Sequence, residues 1–214
     1  MARNPQRLIA EALRRLMREK ELDKITVQEI ADAAGYGIAT LYRYFENKTG
    51  LVLAVSVWQW ERFLEENRKR RPGGESEKQT AADVFAFYLD SFLELYRKHK
   101  ALLRFNQLFN IYIASAGVSP EAMQSYRQLI RTVEQPFHTM YLKAKEDRTL
   151  RTDVPEEEMF SATLHLMLAA VTRYAVGLAY APEGGFDAEK ELLLQKKLLF
   201  KEYAVQEVGK EKYV

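Results

Sequence analysis

Residues 26–51, TVQEIADAAGYGIATLYRYFENKTGL, decide how this chain is read. Thr26 and Glu29 have capping-box spacing, so each side chain can satisfy the other's backbone amide at a helix start. Ile25 and Ile30 stand where a hydrophobic staple closes over that cap. Ile30, Ala31 and Ala34 form a small apolar face. Gly35 follows, where a left-handed residue ends a helix without steric strain. Gly37 is placed to start a second helix, from Ile38 to about Phe45, and Asn47 can cap a further one from Lys48. Leu41 and Phe45, four apart, can face inward together, leaving Thr40, Arg43 and Tyr44 outside. Two short helices on a tight turn form a helix-turn-helix, which presents its second helix to the major groove of DNA.

The ordered run A-G-x-x-x-x-T-L-Y-x-x-F-x-N-K, from Ala34 to Lys48, has Ile30-Ala31 before it and Leu51 after it. It resembles the DNA-binding domain of TetR-family transcriptional regulators over roughly residues 5–55. The resemblance implies an all-α fold of about nine helices. Residues 1–50 would be a three-helix DNA-binding domain, and residues 51–214 a larger ligand-binding and dimerisation domain. Carried over position by position, it places Tyr36, Gly37, Ile38, Thr40, Tyr42 and Tyr44 at DNA-contacting positions. Lys48 falls on a phosphate-binding lysine at the start of the fourth helix, and Thr26 on a cap that touches phosphate. Tyr and Thr hydroxyls are good phosphate donors, while Ile38 offers only apolar contact, as to a thymine methyl. The chain departs from the family pattern at Gly37, where a side-chain capper is usual, and at Tyr36, where a small aliphatic residue is common. No operator sequence can therefore be transferred.

Composition agrees with a globular protein. The chain has 214 residues, 47% of them hydrophobic, and a net charge of +2. Its basic residues are clustered. Arg3, Arg7, Arg14, Arg15, Arg18 and Lys20 stand against only Glu11 and Glu19 in the first twenty positions, and Arg68-Lys69-Arg70-Arg71 forms a second group. Local positive charge attracts a phosphate backbone through counterion release. A solvated helix face accounts better for the second cluster. There is no cysteine, which removes disulfides and thiolate chemistry and fits a cytoplasmic setting. The start, MARNPQRL, has no apolar core of a signal peptide. The apolar residues 159–181 include His165 and Arg173, so they read as a buried helix rather than a membrane span.

Further helices follow from their punctuation. Asn4-Pro5 opens the first, and Leu8, Ile9, Ala12, Leu13, Leu16 and Met17 make its apolar stripe. The helix from Lys48 runs to about Arg71, where Pro72-Gly73-Gly74 breaks it. Thr80 and Asp83 cap a helix to about His99, and residues 101–116 form another, ending at Gly117. Ser119-Pro120 opens the next, which Pro136 should kink. Val154-Pro155 opens the long apolar helix, and Asp187 caps a last one rich in leucine. These final two are the dimerisation candidates, because a helix apolar on every side needs partners on every side.

The resemblance also implies an effector pocket in the second domain, and the candidates are Phe105, Asn106, Phe109, Tyr112, Tyr126 and His165, with Gln107 as another polar handle. Aromatic walls with few polar tips suit an apolar or planar molecule. For His165, on an apolar helix, a hydrogen-bonded core role fits better. Neither a paired-histidine metal motif, a glycine-rich phosphate loop nor a serine elbow is present, so no catalytic residue, metal or cofactor is assigned. The overall expectation is a homodimeric repressor, released from double-stranded DNA by a small apolar effector. The alternative is a DNA-binding helical protein governed by a protein partner.

Overall fold

The computed structural model describes residues 5–71, 79–178, 180, 183 and 185–205. Nine α-helices and one 3-10 turn make up the described chain, with a single isolated bridge, Leu150 to Ala204, in place of any strand. The helices are α1 (Pro5–Leu16), α2 (Val27–Ala34), α3 (Ile38–Tyr44), α4 (Lys48–Arg70), α5 (Ala81–Lys98), α6 (Lys100–Ser115), α7 (Gln124–Asp147), α8 (Glu156–Val176) and α9 (Ala188–Tyr203); the 3-10 turn is Leu22–Lys24. Asn4 and the Pro72-Gly73-Gly74 breaker lie outside the described residues. Compactness divides the chain into residues 1–66 with 104–130, and residues 67–103 with 131–214. This division differs from the functional boundary drawn at residue 50.

In the first unit, α1 buries Ile9, Ala12 and Leu13 of the stripe that its periodicity predicts, together with Ala10, while Leu8, Leu16 and Met17 are partly buried. Ile9, Ala10 and Leu13 join Leu22, Ile25, Ile30, Ala31, Leu41, Leu51, Val52, Phe105 and Phe109 in one core. The Thr26–Glu29 capping box is complete. The Thr26 hydroxyl accepts the Glu29 amide at 3.2 Å, and Glu29 Oε2 accepts the Thr26 amide at 2.9 Å. Gly35 ends α2 at φ 75°, ψ 34°, its N–H shared between the carbonyls of Ala31 and Asp32. The Gly37 backbone is different: φ is −70°, open to any residue, and no side chain caps α3. Asn47 Oδ1 accepts the Gly50 amide at 2.8 Å, fixing where α4 begins.

In the second unit, the Thr80–Asp83 box starts α5. Asp147 and the Thr149 hydroxyl take the next two amides, of Ala81 and Ala82, at 2.7 and 3.0 Å. Helix α5 packs on α8 and α9. Phe85 is fully buried at the centre, edge-on to Phe137 and Tyr203 and stacked on Phe200. Lys196 Nζ donates to Asp90 at 2.6 Å, and Arg97 pairs with Glu189, tying α9 to α5.

Two expectations need correction. Helix α7 begins at Gln124 rather than Ser119-Pro120. The intervening residues form a hydrogen-bonded turn, in which Ser119 Oγ accepts the Ala122 amide at 3.3 Å and the Ser119 carbonyl accepts that of Met123. Helix α8 ends at Val176, where Gly177 turns at φ 116°, and it is not buried all round. Met159, Thr163, Met167, Val171 and Ala175 face inward, whereas Leu166 and Val176 are half exposed. By length and composition α8 could cross a membrane, with a mean hydropathy of 1.2. Regular spacing of its buried residues instead marks one packed face and one open face.

Substituting Gly35 tests the turn. A Cβ there would meet nothing within 4 Å, so only the left-handed backbone opposes it. Gly35→Ala should lower stability by about 1 kcal/mol, read by chemical denaturation followed by circular dichroism.

Candidate nucleic-acid interface

Helix α3 has only seven residues, too few to be stable alone, so its underside must be anchored. Leu41 supplies the buried anchor, and Ile38, Phe45 and Tyr36 pack against the same core from partly exposed positions. The outer side is then left to Tyr42, 51% exposed, Tyr44, 60% exposed, and Arg43. Thr40 is half-buried on the same helix, and Gly37 leaves its first turn uncovered, since a Cβ there would come no nearer than 4.0 Å to Thr40 Oγ1. The Arg43 guanidinium lies 5.3 Å from the centre of the Tyr44 ring. Arg43 therefore belongs with the contact candidates. Its place on the outer surface was legible from helical spacing, but no motif position singled it out.

The other two expected contacts sit at helix starts. Thr26 is exposed at the start of α2, and Glu29 beneath it also pairs with Lys20. Lys20, then the Thr26 amide and hydroxyl, hold the Glu29 carboxyl down at about 2. Lys48 Nζ donates to the Asp23 carbonyl at 2.7 Å and lies 5.3 Å from the centre of the Tyr112 ring. Partial burial pulls its pKa below the ordinary lysine value, against the opposing pull of Asp23 and Glu29. Lys48 thus stands beside the segment that leads into Thr26, which groups two predicted phosphate contacts. Tyr36 and Ile38 are the candidates whose side chains are shared with the core.

This arrangement bears on known proteins. Residues 9–55 match the model of the family described as bacterial regulatory proteins, tetR family. The N-terminal domain is that of a TetR-family regulator. Comparison with curated proteins gives no match. Solved structures share the fold along nearly the whole chain. A bacterial regulatory protein of the tetR family from Rhodococcus RHA1 aligns at TM-score 0.71 and 14% identity, covering 95% of this chain and 99% of that one. FadR of Bacillus subtilis, solved with stearoyl-CoA, aligns at 0.69 and 17%, covering 91% and 97%. KstR2 of Mycobacterium tuberculosis, a ketosteroid transcriptional regulator, aligns at 0.61 and 14%, covering 96% and 98%. Regulators of the TetR family are DNA-binding proteins rather than enzymes.

The effector candidates fall into both compact units. Five belong to the first. Phe105 and Phe109 are fully buried and stacked on each other, and Tyr126 packs against Phe109 at 5.1 Å. Asn106, also buried, accepts the Trp60 indole N–H at 3.2 Å, while the Tyr112 hydroxyl bonds Thr49 Oγ1 at 2.9 Å. His165 belongs to the second unit, exposed on α8 and 3.3 Å from Ser161 Oγ. Sequence reasoning passed over a different signal there. The hydroxyls of Tyr88, Thr163 and Thr172 are buried without a hydrogen-bond partner. Burial pushes the Tyr88 phenol well above its usual value, so it is a neutral donor. Its ring packs edge-on against Phe92 and Phe137, and Phe137 against Phe160 of α8.

The depressed carboxyl of Glu29 fixes the sign of an acid response. Its stabilising effect is complete above its ordinary value near 4.5 and is lost as pH falls towards 2. Glu29→Gln should therefore lower the melting temperature at pH 7, and the gap from the unaltered chain should close on acidification. Melting curves at pH steps from 7 to 2 read this directly.

Proposed function

We propose that this TetR-family chain is a sequence-specific, homodimeric transcriptional repressor that a small apolar effector releases from its operator. The observation that carries DNA binding is the short α3, sealed below by Leu41 and open above through Tyr42, Arg43 and Tyr44. Thr26 and Lys48 at neighbouring helix starts supply phosphate contacts, which fix register without reading sequence. Ile38 reads sequence through apolar contact, and the Thr40, Tyr42 and Tyr44 hydroxyls of α3 add further phosphate contacts. Such a protein works where the chromosome is, in the cytoplasm.

One domain of this size reads too few base pairs to be selective, and pairing supplies a second. The open face of α8, with Leu166 and Val176, and the exposed Leu193, Leu194 and Leu198 of α9 support a homodimer through these two helices. Exposed apolar surface of this kind marks a protein contact. The unpartnered hydroxyl of Tyr88, whose ring packs on Phe92 and Phe137, and that of Thr163 support an effector site in the second unit. Buried polar groups normally have partners, and a ligand carbonyl would provide one. The alternative, control by a protein partner, requires no such site.

Titration of a labelled mixed-sequence duplex over a series of salt concentrations tests the DNA assignment. Tyr42→Ala and Lys48→Ala should weaken binding to every sequence, with Lys48→Ala flattening the salt dependence by roughly one charge per protomer. Ile38→Ala should change which sequences are preferred. Unchanged affinity for Lys48→Ala would overturn the assigned orientation. The dimer has its own test: Leu194→Glu combined with Leu198→Glu should give a folded monomer by sedimentation equilibrium, with much weaker DNA binding.

The buried phenol makes a further prediction. Tyr88→Phe removes a hydroxyl that gains nothing in the unliganded protein, so stability should stay level or rise by about 1 kcal/mol on denaturation.

A further inference from the structure

A lysine in the first turn of a helix is out of place electrostatically, because that end carries partial positive charge. Lys48 occupies that position, and its long side chain would ordinarily wander. It is held on two sides instead. The Asp23 carbonyl takes one of the three N–H donors of its ammonium at 2.7 Å. The Tyr112 ring, 64 residues further along the chain, lies beside the cation at 5.3 Å from ring centre to Nζ. The Tyr112 hydroxyl then bonds Oγ1 of Thr49, the residue next to Lys48, at 2.9 Å. Tyr112 itself cannot drift, since it packs partly buried against the core beneath the reading helices.

We infer that Tyr112 is a positioning residue for DNA binding: it clamps the start of α4 so that the Lys48 ammonium, tethered to Asp23, keeps its remaining N–H donors for a backbone phosphate. The ring faces the cation and the hydroxyl bonds the Thr49 side chain, so one residue braces both the first turn of α4 and the lysine it carries. Pre-ordering removes the rotamer entropy that Lys48 would otherwise lose on meeting DNA. The inference rests on the proposed Lys48–phosphate contact.

The test uses the full chain and a fluorescein-labelled, mixed-sequence duplex of about three helical turns, with binding read by anisotropy across several KCl concentrations. The variants are Lys48→Met, Tyr112→Phe, Tyr112→Leu and Lys48→Met with Tyr112→Leu. Tyr112→Leu should weaken binding about five- to ten-fold and flatten the salt slope as Lys48→Met does, by roughly one charge per protomer. The double variant should bind no worse than Lys48→Met alone, because both substitutions remove the same contact. Tyr112→Phe keeps the ring and its packing, and should lose affinity two- to three-fold with the slope intact. It also guards against a folding defect in the leucine variant. An unaltered slope in Tyr112→Leu, or additive losses in the double variant, would overturn the inference while leaving the phosphate contact standing. An unaltered slope in Lys48→Met would instead remove the phosphate contact itself, and the inference with it.

Discussion

The DNA-reading geometry depends on a single left-handed residue. Gly35 turns the chain at φ 75° while its N–H still bonds the last carbonyls of α2. That reversal lets α3 leave α2 at an angle yet keep Leu41 in the common core. An L side chain at this backbone would cost about 1 kcal/mol or more. The second glycine has another part. Gly37 has an ordinary backbone and is not required by conformation. What it contributes is bareness, an uncovered first turn of α3 that nothing on the protein side obstructs.

Anchoring and exposure divide cleanly within these few residues. The core beneath α3 is apolar, while its outer side carries phenols and a guanidinium. Those groups combine apolar rings with hydroxyl and N–H donors, which suits base edges and phosphates together. The lysine at the start of α4 is held by a carbonyl from the 3-10 segment and a ring from α6. The proposed phosphate contact at Lys48 thus involves a residue of α6, outside the helix-turn-helix.

What the sequence made legible is what short-range chemistry dictates. Both capping boxes, the Gly35 turn, the Asn47 cap and the apolar stripe of α1 depend on residues three or four apart, and each forms as spacing predicts. The start of α7 was misplaced because Ser119 stabilises a turn where it resembles a helix cap. The open side of α8 was hidden because apolar residues lie on both of its faces, and only packing distinguishes them. The resemblance proposes Lys48 as a phosphate contact, but the link of Lys48 to Tyr112 joins positions 64 apart and has no local signature. The same holds for Tyr88 and Thr163. An unpartnered hydroxyl is a property of surroundings, not of spacing.

The central claim is that α3 enters the major groove as one of two symmetric reading heads. Methylation interference at guanine N7, on a duplex selected by the protein from a random pool, tests it most directly, because N7 lies in that groove. The account predicts two interfering clusters on one face of the duplex, centred about one helical turn apart, near 34 Å, or a multiple of it. A single cluster, or guanines that bind equally well when methylated, would contradict it.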